Sequence, residues 1–148
     1  MPVTTRPAAL EDVNAILAVE QQAATAGHFA AEQYEQRVAG GFVHVAESDG
    51  ALCGFLCARD VAREWEIENV VVPPSSRRRG IGDRLLAEFV QHARKRKATA
   101  IWLEVRASNQ AARQLYEKHG FKESGKRRAY YRNPEEDAEL YSLVFLPE

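Results

Sequence analysis

Three features of this chain could do chemistry: the run Arg77-Arg78-Arg79-Gly80-Ile81-Gly82, the lone carboxylate Glu104 inside an apolar stretch, and the pair Asn109 and Tyr116. The first follows the strand-like Val70-Val71-Val72 and opens a helical pattern. A helix start leaves backbone N–H groups without carbonyl partners and carries roughly half a positive charge. A diphosphate placed there meets aligned donors. Gly80 and Gly82 let the backbone approach a ligand without a Cβ in the way, and Arg77, Arg78 and Arg79 add forked donors suited to phosphate oxygens. A dinucleotide-binding turn would need a third glycine where Leu85 stands, and a P-loop would end in Gly-Lys-Ser/Thr, which is absent.

The remaining pattern, Arg-x-x-Gly-x-Gly after a strand and opening a helix, resembles the acetyl-coenzyme A loop of the GNAT superfamily of N-acetyltransferases. The same pattern also fits a solvated basic turn capped by glycines. Glu104 lies in Ile101-Trp102-Leu103-Glu104-Val105, where a charge needs a partner or water and where burial would raise its pKa toward a general base's range. A salt bridge to Arg106 or another arginine is the structural alternative. Asn109 and Tyr116 are seven residues apart on one expected helix, two turns and about 10 Å along nearly one face. Asn109 can donate to an amide-rich cofactor arm, and Tyr116 can protonate a departing thiolate; the alternatives are a helix cap and a core tyrosine. Acyl transfer from a thioester to an amine requires a base, oxyanion donors and an acid. Glu104 through a water, the strand edge at Val70 to Val72, and Tyr116 could supply them in that order.

The elements that must position these groups follow from periodicity. A strand at Val3 to Arg6 precedes helices at Ala9 to Ala24 and Ala30 to Val38, the second ended by Gly40-Gly41. Phe42 to Glu47 and Leu52 to Val61 flank the turn Asp49-Gly50 as a hairpin, and Trp65 to Val72 is a strand stopped by Pro73-Pro74. Ile81, Leu85, Leu86, Phe89, Val90 and Ala93 make the apolar stripe of a helix from Arg79 to Lys97, whose basic tail complements the dipole. Thr99 to Val105 is a strand, Ser108 can cap a helix from Asn109 to His119, and Gly120 suits its left-handed end. Strands at Phe121 to Tyr131 and Ala138 to Phe145 finish the chain. The expected fold is α/β, a mixed sheet of about seven strands with helices on both faces, in one domain over residues 1–148. If the strands ending at Val72 and Val105 are parallel neighbours, a right-handed crossover puts their carboxyl ends on one edge. The cradle, Glu104 and the helix start at 109 then share a crevice.

At 148 residues, 45% apolar and 28% charged, the chain has the composition of a globular protein. Its net charge of −1 gives no reason to expect nucleic acid or an anionic membrane as partner. No apolar stretch approaches the ~20 residues of a membrane span, and Glu11 and Asp12 stand where a signal peptide would be apolar. A cytoplasmic location and a monomer or weak homodimer are expected. Cys53 and Cys57 would lie about 13 Å apart in a strand at ~3.3 Å per residue, too far to bridge. No metal is expected: His28, His44, His92 and His119 show no ligand spacing and read as surface or packing residues.

From Trp65 onward the chain is similar to the bacterial ribosomal-protein-alanine N-acetyltransferases, the RimI type of the GNAT superfamily. The likeness is carried by Trp65 to Val72, the arginine-glycine loop, Leu103 to Asn109, Leu115 to Phe121 and Tyr130-Tyr131. It implies Glu104 as general base and Tyr116 as general acid. It also implies acetyl-coenzyme A held at Val70, Val71, Val72, Arg77 to Gly82, Asn109 and Tyr116, and an acceptor contacted by Phe29, Glu68, Tyr130 and Tyr131. Where the family often carries Trp in the acceptor-shaping segment, this chain has Gly27-His28-Phe29-Ala30. Glu66 and Glu68 offer an alternative base, since other acetyltransferases use that preceding strand. The implied acceptor is a protein N-terminal α-amine, possibly ribosomal; a lysine or small amine, or a non-catalytic acyl-coenzyme A module, is the alternative. With a pKa near 8 an α-amine is roughly 10% neutral at pH 7, on the order of hundreds of times more than lysine.

Overall fold

Cys53 to Ala58 is a run of six consecutive residues, all buried, which a strand achieves only when both faces of its sheet are covered. The computed structural model describes residues 2–23, 28–132 and 134–145 and shows what covers them. In chain order the elements are β1 (Thr4–Pro7), α1 (Val13–Gln21), α2 (Ala31–Gly40), β2 (Phe42–Ser48), β3 (Ala51–Val61) and β4 (Glu64–Val71), followed by α3 (Ile81–Lys95), β5 (Ala100–Arg106), α4 (Gln110–Lys118), β6 (Lys122–Tyr131) and β7 (Glu136–Val144). On one face Val13, Ile16 and Val19 of α1 and Tyr34 of α2 pack on Val43, Val45 and Phe55. On the other, Leu85, Leu86 and Phe89 of α3 meet Leu56, Ile67, Ile101 and Leu103.

Among the described residues seven strands run in the order β1-β2-β3-β4-β5-β7-β6, with β4 and β5 the only parallel neighbours. Their pairing lasts from Glu64 opposite Ala100 to Ile67 opposite Leu103 and then stops. Beyond it β4 stays with β3 as far as Val71, and β5 stays with β7 as far as Arg106. The sheet therefore parts at its carboxyl edge, and α3, the crossover between the two strands, starts beside the gap.

β4 also carries a bulge. Ala58 pairs with Ile67 and Cys57 with Asn69, so Glu68 is an extra residue. One extra residue inverts the alternation of side chains. Trp65 and Ile67 face α3, whereas Asn69 reaches Tyr34 of α2, Val71 joins the α1 and α2 cluster, and Val70 and Val72 pack toward α3.

Some expected boundaries shift. The first helix does not begin at Ala9: Leu10–Asp12 form a 3-10 turn closed by Ala9 N–H donating to Asp12 Oδ2 at 2.7 Å, and α1 follows and ends at Gln21. The expected end at Ala24 lies outside the described residues. α3 begins at Ile81 rather than Arg79, because Arg78 and Gly80 hold left-handed φ values of 68° and 71°. No helix of the described residues is long and apolar enough to cross a membrane.

Candidate active site

The gap between β4 and β5 opens a crevice of about 1430 Å³ that reaches from the start of α3 to the segment before α2. Pro73 ends β4, Pro74–Ser76 make a 3-10 turn, and Gly80 caps α3 in the left-handed region. The first helical bond is Arg84 N–H to Gly80 O at 3.0 Å, so the N–H groups of residues 81–83 precede the helical ladder. A Cβ at Gly80 would meet nothing within 4 Å, so glycine there serves the backbone angle. A Cβ at Gly82 would come within 3.3 Å of Leu115 on α4, so glycine there keeps the space between the two helices open. These features fit a diphosphate.

The three arginines diverge. Arg77 Nε donates to the Val72 carbonyl at 3.2 Å, folding the loop back on the strand end, and Arg78 lines the crevice. Arg79 Nη2 instead donates to Ser48 Oγ at 3.1 Å, and its side chain is not among the crevice walls, contrary to the expectation of a third phosphate donor. Its guanidinium ties the loop to the end of β2. Asp83, in the first turn, would repel an anion. His119 at 3.0 Å and Lys118 at 3.1 Å engage it and hold its carboxyl below the usual range.

On the β4 lip the pairing with β5 ends at Ile67, so that among the described residues Val70 and Val71 have no rung to β5 and their main-chain groups on that edge face the crevice. Val70 and Val72 line the crevice with half-buried side chains, and Val71 is buried behind them.

On the β5 lip Glu104 points into the crevice with its side chain 12% exposed. Its ion-pair partner is Arg127 on β6, at 3.6 Å. Arg106, the nearest arginine in sequence, is committed elsewhere: to Glu136 at 3.2 Å and to the carbonyls of Arg132 and Pro134. The nearby Glu104 carboxylate and burial raise the pKa of the Tyr130 phenol, and the Tyr130 ring lies under Arg127. Burial, then the Glu104 charge, pushes Tyr131 up to about 12, and its ring lies under Arg106 at 4.6 Å. Both phenols stay protonated near neutrality.

Tyr116 is 6% exposed and packs against Phe121 and Tyr141. Among the described residues its hydroxyl has no hydrogen-bond partner, and burial raises its pKa, so it is held in the acid form. Asn109 and Tyr116 both line the crevice. Asn109 is the cap of α4, its side-chain oxygen accepting from Ala112 N–H at 3.2 Å. Ser108 was the expected cap; its N–H is taken by Glu136 at 2.9 Å, and the helix starts one residue later.

At the far end, Glu68 is held by Arg37 at 2.5 Å with Arg59 at 3.9 Å, and Glu66 by Arg59 at 2.7 Å. These two carboxylates are more tightly engaged than Glu104. Phe29 lines this end with Tyr130 and Tyr131; Gly27 lies outside the described residues. Sequence reasoning missed Arg127, whose place beside Glu104 depends on β6 lying two strands away from β5. It also missed Glu20, which is 3% exposed. A signal existed: Val13, Ile16, Leu17 and Glu20 follow the i, i+3, i+4, i+7 spacing of a buried face. Among the described residues no group of three or more His, Cys, Asp or Glu could hold a metal ion.

Comparison with known proteins identifies the family. The family described as acetyltransferase (GNAT) matches residues 10–121. The [ribosomal protein bS18]-alanine N-acetyltransferase of Escherichia coli K12 is 39% identical over 97 residues, covering 64% of this chain and 66% of that protein. The N-alpha-acetyltransferase RimI of Mycobacterium tuberculosis is 40% identical over 97 residues, covering 63% of this chain and 60% of that one. The chain thus spans slightly under two thirds of the length of these curated relatives in the matched region. The crystal structure of the E. coli ribosomal-protein-S18-alanine N-acetyltransferase superposes with a TM-score of 0.88 at 30% identity, over 99% of this chain and 96% of that one. Since the matched residues include both lips of the parted sheet and the loop that opens α3, the chain belongs to the acetyltransferase (GNAT) family.

Proposed function

We propose that this chain transfers the acetyl group of acetyl-coenzyme A to the α-amine of a protein N-terminus, of the ribosomal-protein-alanine type. One observation carries the reading: a carboxylate (Glu104), a phenol kept protonated (Tyr116) and an open helix start (Ile81 to Asp83) all line one crevice. The N–H groups at the start of α3, with Arg77, Arg78 and the Gly80 turn, take the diphosphate. Main-chain groups of residues 70–72 and Asn109 take the amide-bearing arm.

The chemistry follows from these positions. Glu104, directly or through a water, accepts a proton from the incoming ammonium, and the neutral amine attacks the thioester carbonyl. Main-chain donors on the unpaired β4 edge stabilise the oxyanion. The C–N bond forms, the C–S bond breaks, Tyr116 gives its proton to the departing thiolate, the second proton of the acylated nitrogen returns to the Tyr116 oxygen, and Glu104 passes its proton to solvent. An α-amine suits this modest base, because at pH 7 about a tenth of it is already neutral. Phe29, Glu68, Tyr130 and Tyr131 line the entrance to this acceptor side.

The test is acetylation of three acceptors: an Ala-starting peptide, an N-blocked lysine peptide and a small amine, with mass spectrometry to locate the product. The reading expects the α-amine product. Lysine-only or small-amine turnover would move the chain to another substrate class, and binding of acetyl-coenzyme A without turnover on any amine would make it a regulatory module. Glu104→Gln should flatten the acidic limb of the rate against pH, and an unaltered limb would move the base to Glu66 or Glu68.

A further inference from the structure

The acceptor side of the crevice is tied to the catalytic strand through a buried acid that the proposed chemistry does not use. Glu20, on α1, is 3% exposed. Its Oε2 accepts from the Phe29 N–H at 3.1 Å and from the Tyr34 hydroxyl at 2.5 Å, and its Oε1 lies 3.3 Å from His28 Nδ1. Tyr34 in turn accepts from Asn69 Nδ2 at 3.2 Å. Asn69 directly follows the bulged Glu68, and the bulge is what turns it toward α2. The chain of contacts runs from α1 to the crevice-lining Phe29 and His28, and through α2 to the β4 lip.

A buried carboxylate without partners is costly, and one that accepts several donors fixes them in return. The donors here are a main-chain N–H of the acceptor wall and a phenol. Phe29 is further held edge-on to Tyr34 at 5.8 Å, and Tyr34 to Phe55 at 5.6 Å, so the wall is seated on the doubly covered part of the sheet.

We infer that Glu20 is a positioning residue for the acceptor: it sets Phe29 against the β4 lip, and through Tyr34 and Asn69 it keeps that wall in register with the place where acyl transfer occurs. The inference rests on the acetyl-transfer reading above. It concerns how the acceptor is held, and it predicts a larger defect in acceptor use than in coenzyme affinity, because the groups that bond Glu20 directly, Phe29 N–H, the Tyr34 hydroxyl and His28, are not among those placed on the coenzyme.

Glu20→Ala, Glu20→Gln and Tyr34→Phe test it with three readouts: peptide KM and kcat, acetyl-coenzyme A affinity by calorimetry, and amide hydrogen exchange of residues 28–33. Glu20→Ala should raise peptide KM about fivefold or more and speed Phe29 exchange about tenfold or more, as the loss of a charge-assisted hydrogen bond requires. Coenzyme affinity should stay within about twofold. Glu20→Gln keeps an acceptor oxygen and should recover most of the defect, and Tyr34→Phe should show a smaller form of it. Unchanged peptide KM in folded Glu20→Ala would overturn the inference, as would a parallel loss of coenzyme affinity or failure of Glu20→Gln to recover. If Glu20→Ala does not fold, Tyr34→Phe decides: unchanged KM and exchange overturn it. If the unaltered protein acetylates no amine, the acetyl-transfer reading fails and the acceptor role fails with it, while exchange at Phe29 still reports separately whether the tether exists.

Discussion

β3 and β6 are strands of 11 and 10 residues in the same sheet, yet β3 buries six residues in succession and β6 buries none. The difference follows from coverage. Behind β3 lie α1 and α2 on one face and α3 on the other, whereas the apolar cluster under α1 and α2 includes no residue beyond Val71. The half before the gap is therefore a scaffold, and the half after it presents polar and aromatic side chains to solvent. The crevice sits where double coverage ends. Glu104 and Tyr130 line the crevice there, and Arg127 on β6 pairs with Glu104 at 3.6 Å.

That contrast can be broken by substitution. Phe55→Ala, at a fully buried site on β3, should cost about 3–5 kcal/mol in urea unfolding, while Arg128→Ala on β6 should stay within about 0.5 kcal/mol. Comparable losses would mean that the two halves share the stability evenly. At the seam, Tyr116→Phe should lower kcat by on the order of 100-fold with coenzyme affinity nearly unchanged; unaltered turnover would remove the tyrosine from the chemistry.

Asn109→Ala removes the cap of α4 and should cost about 1 kcal/mol, and Asn109→Ser should restore most of it. If coenzyme affinity falls equally in both, the amide itself serves the ligand. If it recovers with the cap, Asn109 acts by holding α4. A small effect is expected at the scaffold's edge, where Arg6 of β1 binds Asp12 at 2.7 Å and Glu47 at 2.5 Å. The Arg6 hydrogen bond holds the Asp12 carboxyl below its usual value, so its contribution is present above the unfolded pKa and disappears as pH falls through the folded one. Asp12→Asn should cost about 1 kcal/mol or less near pH 7, and unfolding curves of the two proteins should converge in acid.

Periodicity made the scaffold readable. The stripe Leu85, Leu86, Phe89, Ala93 announces α3, and the Arg-x-x-Gly-x-Gly loop announces the cradle. The crossover argument brought Glu104, Asn109 and the cradle to one edge, where they line the same crevice. Less visible was the bulge at Glu68: Trp65-Glu66-Ile67-Glu68 alternates apolar and polar as an unbroken strand would, the polar pair Glu68-Asn69 breaks the pattern, and the pairing with β3 identifies the extra residue. Arg127 and Glu104 are 23 positions apart on strands separated by β7, a neighbourhood that no local pattern encodes. The cap falls on Asn109 rather than Ser108: both types cap helices well and stand side by side, and in the fold it is the Asn109 side chain that accepts from Ala112 N–H.

The rungs between β4 and β5 end at Ile67 and Leu103, so among the described residues no strand pairing fastens these two strands across the upper part of the sheet. A bound molecule reaching from one lip to the other would act as a brace, supplying the cohesion that missing strand pairs would otherwise give. Occupancy and thermal resistance are then linked: at about 100 times the dissociation constant, such a brace adds about 2.7 kcal/mol to the folded state.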